Sequence, residues 1–435
     1  GNVVASMLVT RIQESDQDLI MPPPHFQKPL TDQQREILKR WIEEGAIWES
    51  HWAFRPLQRS QPPRIRGAKI LNEIDSFIID HLQHASSGLT QSKVADKMTL
   101  VRRASFDLRG LPPSVNEVQK FVSGDVTYEA LIDSFLASES FGERMAQYWL
   151  DLVRYADSGG YHSDVTVHIS PYRDYVIQSF NDNLPFDQFT IEQLAGDLLP
   201  APTEWQMIAT GYNRLNKTTE EGGAQPGEYL VKYAADRIRT TSGVWLGITL
   251  GCAECHDHKY DPFTARDFYS FGAFFADIKE VGQYGGGNRD PEIRVATLPQ
   301  RRELQQIELG LQNAIDGQQQ AQANELTEAK AAIEKQFVRT MITKSVAPRE
   351  IRILPRGDWL NKTGIVVQPE VPVSLSLDTV DREHRLTRLD LANWVVADEN
   401  PLTSRVFVNR MWKLLFGRGI SPRLDDVGAQ GEPPT

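Results

Sequence analysis

The chain has 435 residues, too many for one ordinary core, and its 40% apolar and 24% charged content is that of a folded globular protein. A formal net charge of −11, with no basic run longer than pairs such as Arg102–Arg103 and Arg301–Arg302, argues against nucleic acid as a partner. No stretch approaches the ~20 apolar residues a membrane-spanning helix needs, and two cysteines cannot build a disulfide framework. There is no initiator Met and no charged-then-apolar leader. Gly1 reads as mid-domain sequence, so the chain is expected to be cut at both ends.

Residues 1–50 read as the end of a small helical module. Val3–Gln13 has helical patterning, and Met21-Pro-Pro-Pro is a rigid turn because each proline fixes φ and removes a donor. Thr31 with Gln34 forms a capping box, Ile37, Leu38, Trp41 and Ile42 make a buried stripe, and Gly45 ends the helix. Residues 51–69 are a linker, and 70–284 a helical domain. Helical patterns fall near 128–137, 141–156, 172–182, 186–198, 203–213 and 228–250. Ser114 with Glu117, and Thr264 with Asp267, open two further helices. Residues 285–348 are polar and predict an exposed helical arm of one or two helices, as two an antiparallel pair turning near Asp316-Gly317. Residues 349–435 begin with a small β insertion, marked by Ile351, Ile353, Val366, Val367, Val373, Leu375 and Leu377. Helices return at 386–398 and 402–416. The expected fold is mainly α: a multi-helix domain with an exposed helical arm and a small β insertion.

Within the helical domain, Gly251-Cys-Ala-Glu-Cys-His is C-x-x-C-H, which marks it as a c-type haem domain. Two thiols at this spacing, Cys252 and Cys255, reach the two vinyl groups on one porphyrin edge, and His256 follows as an axial iron ligand. A thioredoxin-like dithiol would follow a strand, whereas this motif follows the helical pattern 228–250. A zinc site would need more ligands than His258 can add, since no other cysteine exists. The reading is therefore one covalent haem c and a periplasmic or extracellular protein, because such attachment occurs outside the bacterial cytoplasm.

Around the motif, Lys259 is a candidate partner for a propionate, and Asp257 for the Nδ1 proton of His256. His258 is too near in sequence to reach the opposite haem face, and suits a propionate, a substrate or a second metal. Candidates for the other axial position are His162 and His168, in a loop between Gly159-Gly160 and Pro171, and Met21 if its module packs on the haem. Met145 and Met207 have helical spacing and read as core. Asp151, Arg154 and Asp157 recur on one predicted helix face, with Tyr155 beside them. Together with Glu220, Glu221, Asp236, Arg237 and Arg239 they read as a salt-bridge network or, more sharply, as a distal catalytic pocket. Arg405, Asn409, Arg410 and Lys413 read as a solvated basic stripe.

Long stretches carry a family resemblance. They include Asp18-Leu-Ile-Met-Pro-Pro, Trp41-Ile-Glu-Glu-Gly-Ala, His51-Trp-Ala-Phe, Phe106-Asp-Leu-Arg-Gly-Leu-Pro-Pro and Tyr148-Trp-Leu-Asp-Leu-Val-Arg-Tyr. Others are Glu192-Gln-Leu-Ala-Gly-Asp, the motif with its continuation His256-Asp-His-Lys-Tyr-Asp-Pro, and Asn400-Pro-Leu-Thr-Ser-Arg-Val-Phe-Val-Asn-Arg. In these the chain resembles the Planctomycete cytochrome C family, large extracytoplasmic c-type haem proteins with associated domains of unknown function. The resemblance implies that residues 1–50 are the C-terminal remnant of a first cytochrome c-like domain whose own haem motif lies upstream. It likens Met21 to an axial methionine loop, and implies a third region continuing past Thr435. It implies an extracytoplasmic redox protein with no settled reaction; the function expected here is electron transfer through one covalent haem, with a redox partner protein or another haem domain. The alternative is a haem enzyme, a peroxidase- or oxidase-like oxidoreductase with an open distal site.

Overall fold

The structure, a computed structural model, describes residues 1–47, 51–85, 89–161, 164–285, 289–376 and 384–435. It divides into two compact units, Gly1–Arg55 and Pro56–Thr435.

The first unit holds helices α1 (Met7–Gln13) and α2 (Asp32–Glu43). Thr31 and Gln34 form the expected capping box, the Thr31 amide donating to Gln34 Oε1 at 2.9 Å. Val9, Ile12 and Ile42 are buried. The expected stripe is narrower than the sequence suggested: Ile37 is exposed, because in this two-helix unit little packs on its side of α2.

The second unit begins with α3 (Glu73–His84), α4 (Lys97–Arg109), α5 (Val115–Ser123) and α6 (Tyr128–Leu136). Val101, Ala104, Phe121, Leu131 and Phe135 join α4, α5 and α6 in one apolar cluster. Ser114 and Glu117 cap α5 as expected. Arg109 donates to both Glu117 carboxylate oxygens at 2.8 and 3.1 Å and lies 3.9 Å from the Phe135 ring centroid. The Arg109 hydrogen bond holds the Glu117 carboxyl at about 2, below its ordinary 4.5. A depressed carboxyl contributes stability above its unfolded value, and that contribution is lost as pH falls through about 2. Glu117→Gln is therefore expected to flatten the fall in stability between about pH 4.5 and 2, measured by urea unfolding across that window. An unchanged acid limb would show that the pair is not formed.

The middle of this unit is α7 (Glu139–Leu152), α8 (Ser170–Asn181), α9 (Phe186–Ala195), α10 (Glu204–Ala209), α11 (Pro226–Thr241) and α12 (Ala265–Ala273). Trp149 of α7 and Tyr172 of α8 both donate to Gln193 Oε1 of α9, at 2.9 and 2.6 Å, which satisfies three buried polar groups at once. Two expected helices are shorter than their sequence patterns. The 141–156 pattern ends at Leu152, since Arg154 adopts a left-handed backbone (φ +60°). The 228–250 pattern ends at Thr241, where the backbone widens into a π-turn over Ser242–Leu246 and then reverses at Gly247 (φ +58°). A Cβ at Gly247 would meet Val406 at 2.7 Å, so glycine is required twice over.

Next come β1 (Glu292–Val295), α13 (Leu298–Asp316), α14 (Gln320–Glu334) and β2 (Val338–Met341). The two helices are the expected antiparallel pair and pack on one another. They stand on an antiparallel β1–β2 ribbon registered Glu292↔Met341 to Val295↔Val338. The expected β insertion reduces to β3 (Ile351–Arg352) paired with β4 (Val366–Val367). Val373–Leu375 is a helical turn instead: Pro372 just before it fixes φ and brings no ladder donor, and its carbonyl accepts from the Leu375 amide at 2.9 Å. Leu377 lies outside the described residues. The C-terminal helices are α15 (Arg388–Val396) and α16 (Thr403–Phe416). The buried Arg388 ties α15 to the middle of the unit, donating to both Asp197 oxygens at 2.7 and 2.8 Å and to Asp277 at 3.0 and 3.1 Å. Among the described residues the architecture is mainly α, and no helix is long and apolar enough to cross a membrane.

Candidate functional site

The motif sits on one short 3-10 turn, Leu250–Glu254, with Cys255 at its end. Two elements hold this turn. Arg239 of α11 pairs with the Glu254 carboxylate. The Tyr269 hydroxyl of α12 donates to the Glu254 carbonyl at 2.9 Å, with the Leu354 carbonyl at 3.3 Å. Burial, with Glu254 nearby, pushes that phenol above its ordinary value, so it stays a donor.

Cys252 and Cys255 are exposed free thiols. His256 is exposed as well, and its Nδ1 lies 2.8 Å from the Asp257 carbonyl. A carbonyl only accepts, so Nδ1 carries the proton and the Nε2 lone pair is available, with no partner among the described residues. Two accessible thiols on one turn and an imidazole in the Nε2-ligating tautomer are the donor set a covalently attached haem requires. Among the described residues no group of three or more His, Cys, Asp or Glu side chains converges.

The neighbours take roles the sequence did not reveal. Asp257 serves His256 through its carbonyl, while its carboxylate accepts from the Ala265 amide at 2.8 Å and caps α12. His258 is buried: its Nδ1 accepts from the Asp261 amide at 2.8 Å, and its Nε2 lies 3.1 Å from Thr249 Oγ1. With both nitrogens engaged, His258 pins the loop after the motif and offers nothing to a propionate or substrate. Lys259 is exposed, 5.1 Å from the Tyr260 ring centroid.

The described distal candidates lie on different elements. His162 lies outside the described residues. His168 pairs with Glu292 of β1 at 3.1 Å. Met145 is buried in α7 and Met207 half-buried in α10. Met21, about half exposed, belongs to the first unit.

Arg154, Tyr155 and Asp157 lie past the end of α7, so they do not share a helix face with Asp151. The structure gives them separate partners. Arg154 donates to Asp236 of α11 at 2.8 Å, and Tyr155 to Asp157 at 2.5 Å. Burial, then the Asp157 bond, push the Tyr155 phenol above its ordinary value. Asp236 and Arg239 are one helical turn apart, so Arg154 and the motif's Glu254 are anchored to the same face of α11. Arg237 faces inward and pairs with the buried Glu280, and Glu220 accepts from Arg289 at 2.6 Å. Glu221 is exposed. Of the expected solvated basic stripe, only Lys413 is exposed. Asn409 is buried against Ser421, and Arg410 donates to the carbonyls of Val244 and Gly243, closing the open end of the π-turn. Burial brings Arg410 down to about 10. Arg405 donates to the Pro401 carbonyl, while Lys413 lies toward the C-terminal end of α16.

One close approach went unnoticed in the sequence. Gly357 (φ +72°) passes so near the motif that a Cβ there would meet Cys255 Sγ at 2.9 Å. Gly357→Ala is expected to hinder any thioether at Cys255, through both the clash and the backbone strain. The check is covalent haem per chain by intact mass, which should fall severalfold against wild type while Cys252 remains able to attach.

Residues 73–280, which include the motif, match the family model PSCyt2, described as a protein of unknown function (DUF1549). Residues 387–435 match PSD1, described as a protein of unknown function (DUF1553). Both are domains found in Planctomycete cytochrome-C-associated proteins. No curated protein and no solved structure matches the chain.

Proposed function

We propose that Cys252, Cys255 and His256 hold one covalent haem c and that the protein transfers electrons outside the cytoplasm, in the periplasm or extracellular space. The observation that carries this reading is the single turn bearing two accessible thiols beside an imidazole whose Nε2 is unengaged. When bound, the haem supplies a one-electron ferric–ferrous couple. The chain's own residues do the rest. Cys252 and Cys255 anchor the group, and the Asp257 carbonyl holds His256 in the ligating tautomer. Arg239 and Tyr269 keep the turn from shifting. Exposed Lys259 is available to a propionate or to an acidic partner surface. The partner is a redox protein or another haem domain.

A second reading is a haem enzyme of peroxidase or oxidase type. It is favoured by Arg154, which pairs with Asp236 on the α11 face that also anchors the motif, and by the Tyr155–Asp157 hydrogen bond directly after it in sequence. Absorption spectra with and without carbon monoxide or cyanide separate the two. A low-spin spectrum indifferent to both ligands supports the carrier, and a high-spin site that binds them supports the enzyme.

A further inference from the structure

Between α11, α12 and residues 349–362 lies a largely apolar cavity of about 350 Å³, a volume in the range of small-molecule sites. Leu230, Ile238, Phe268 and Trp359 wall it. It is a compartment of its own. The Tyr269 hydroxyl, bonded to the Glu254 and Leu354 carbonyls, closes it from the motif turn, and no thiol or histidine lines it. The lining follows α11 from Gly227 to Ile238, roughly 16 Å of helix rise. Its two ends differ. At Ile238 the helices touch, since a Cβ on Gly272 would meet Ile238 Cδ1 at 2.7 Å. At Gly227 the cover is the Trp359 ring, 3.3 Å from where a Cβ would stand.

The charge around this slot is one-sided. Arg349, Arg352 and Lys362 line it against a single carboxylate, Glu350. Arg349 is bound to Glu280 and Arg352 to Glu350, each at 2.7 Å. The exposed Lys362 has no ion-pair partner among the described residues, and it follows Trp359, the cover of the Gly227 end, by three residues. At that end α11 begins without a side-chain cap, so the positive end of the helix adds to the lysine.

We propose that this cavity binds an unbranched fatty acid, its tail toward Ile238 and its carboxylate held by Lys362 near Gly227. An extended acyl chain of about twelve carbons matches the roughly 16 Å slot. Burial of the chain drives binding, and the uncommitted cation selects an ionised acid as the head. An uncharged ligand would leave Lys362 unused, and a short acid would leave the Ile238 end empty. The site is independent of the haem reading, and the residues that bring its cations lie outside both matched regions.

The test is calorimetric titration of the full chain with dodecanoate below its micelle concentration, beside butyrate and dodecyltrimethylammonium. One saturable dodecanoate site is expected, with butyrate weaker by on the order of a hundredfold or more. Ala234→Trp narrows the cavity and should weaken dodecanoate about tenfold. Lys362→Gln should weaken dodecanoate about threefold while strengthening dodecyltrimethylammonium, a split that lost packing would not give. Should Ala234→Trp fail to fold, a dodecanoate with a terminal diazirine decides in its place, by crosslinking to peptides that hold Ile238 or Phe268. Four results overturn the proposal: no saturable dodecanoate binding, wild-type affinity in folded Ala234→Trp, crosslinks confined to other peptides, or an unchanged preference between the two headgroups in Lys362→Gln.

Discussion

The Cys252→Ala, Cys255→Ala double variant is expected to lose covalent haem completely, while each single variant keeps a reduced amount through the remaining thiol. Both side chains are exposed and neither is in a disulfide, so their loss should leave the haem-free fold within about 0.5 kcal/mol of wild type. That separation matters, because a protein that fails to fold also fails to carry haem. Intact mass under denaturing conditions reads the attachment, and thermal unfolding of haem-free protein reads the fold. His256→Ala should keep the thioethers and alter the spectrum, since it removes an axial ligand without touching either sulfur. Haem retained by the double variant would show that its attachment does not run through these thiols.

Arg388→Ala is expected to be the most destabilising substitution considered, at about 3–5 kcal/mol. The guanidinium is fully buried and makes five hydrogen bonds, four of them to the carboxylates of Asp197 and Asp277. Burial alone would lower its affinity for a proton, but the two carboxylates more than offset this and hold it above its ordinary value. Truncation leaves two buried carboxylates facing each other without a cation. Asp277 retains the Ser345 hydroxyl at 2.7 Å, which is too little to stabilise its charge. Urea unfolding of the whole chain measures the change. A loss below about 1 kcal/mol, the range of exposed ion pairs, would mean that α15 does not pack as described.

Much of this architecture is legible in the residues. Each capping box read from Thr31, Ser114 and Thr264 opens a helix where expected, because cap chemistry is local and leaves a three-residue signature. The antiparallel arm is equally plain, since polar sequence with Leu and Ile at helical spacing has few other solutions. What escaped depends on contacts distant in sequence. The helix leading to the motif stops at Thr241 because Arg410, far along the chain, supplies donors to the carbonyls of the π-turn. Periodicity alone cannot register that. The β1–β2 ribbon was missed because four-residue strands give almost no alternation to read. At the site itself, the motif marked Cys252, Cys255 and His256 as candidates, but not their setting. His258 looked reactive by its place in the sequence, whereas backbone amides and Thr249 occupy it. Gly357 and Tyr269 gave no signal, since their importance lies in which surfaces they touch.

The most direct measurement is the denatured intact mass of the wild-type chain, expressed with its export and haem-attachment apparatus. The account requires the polypeptide plus one haem, lost only when Cys252 and Cys255 are both replaced. A bare polypeptide mass from cells that load a control cytochrome would contradict it.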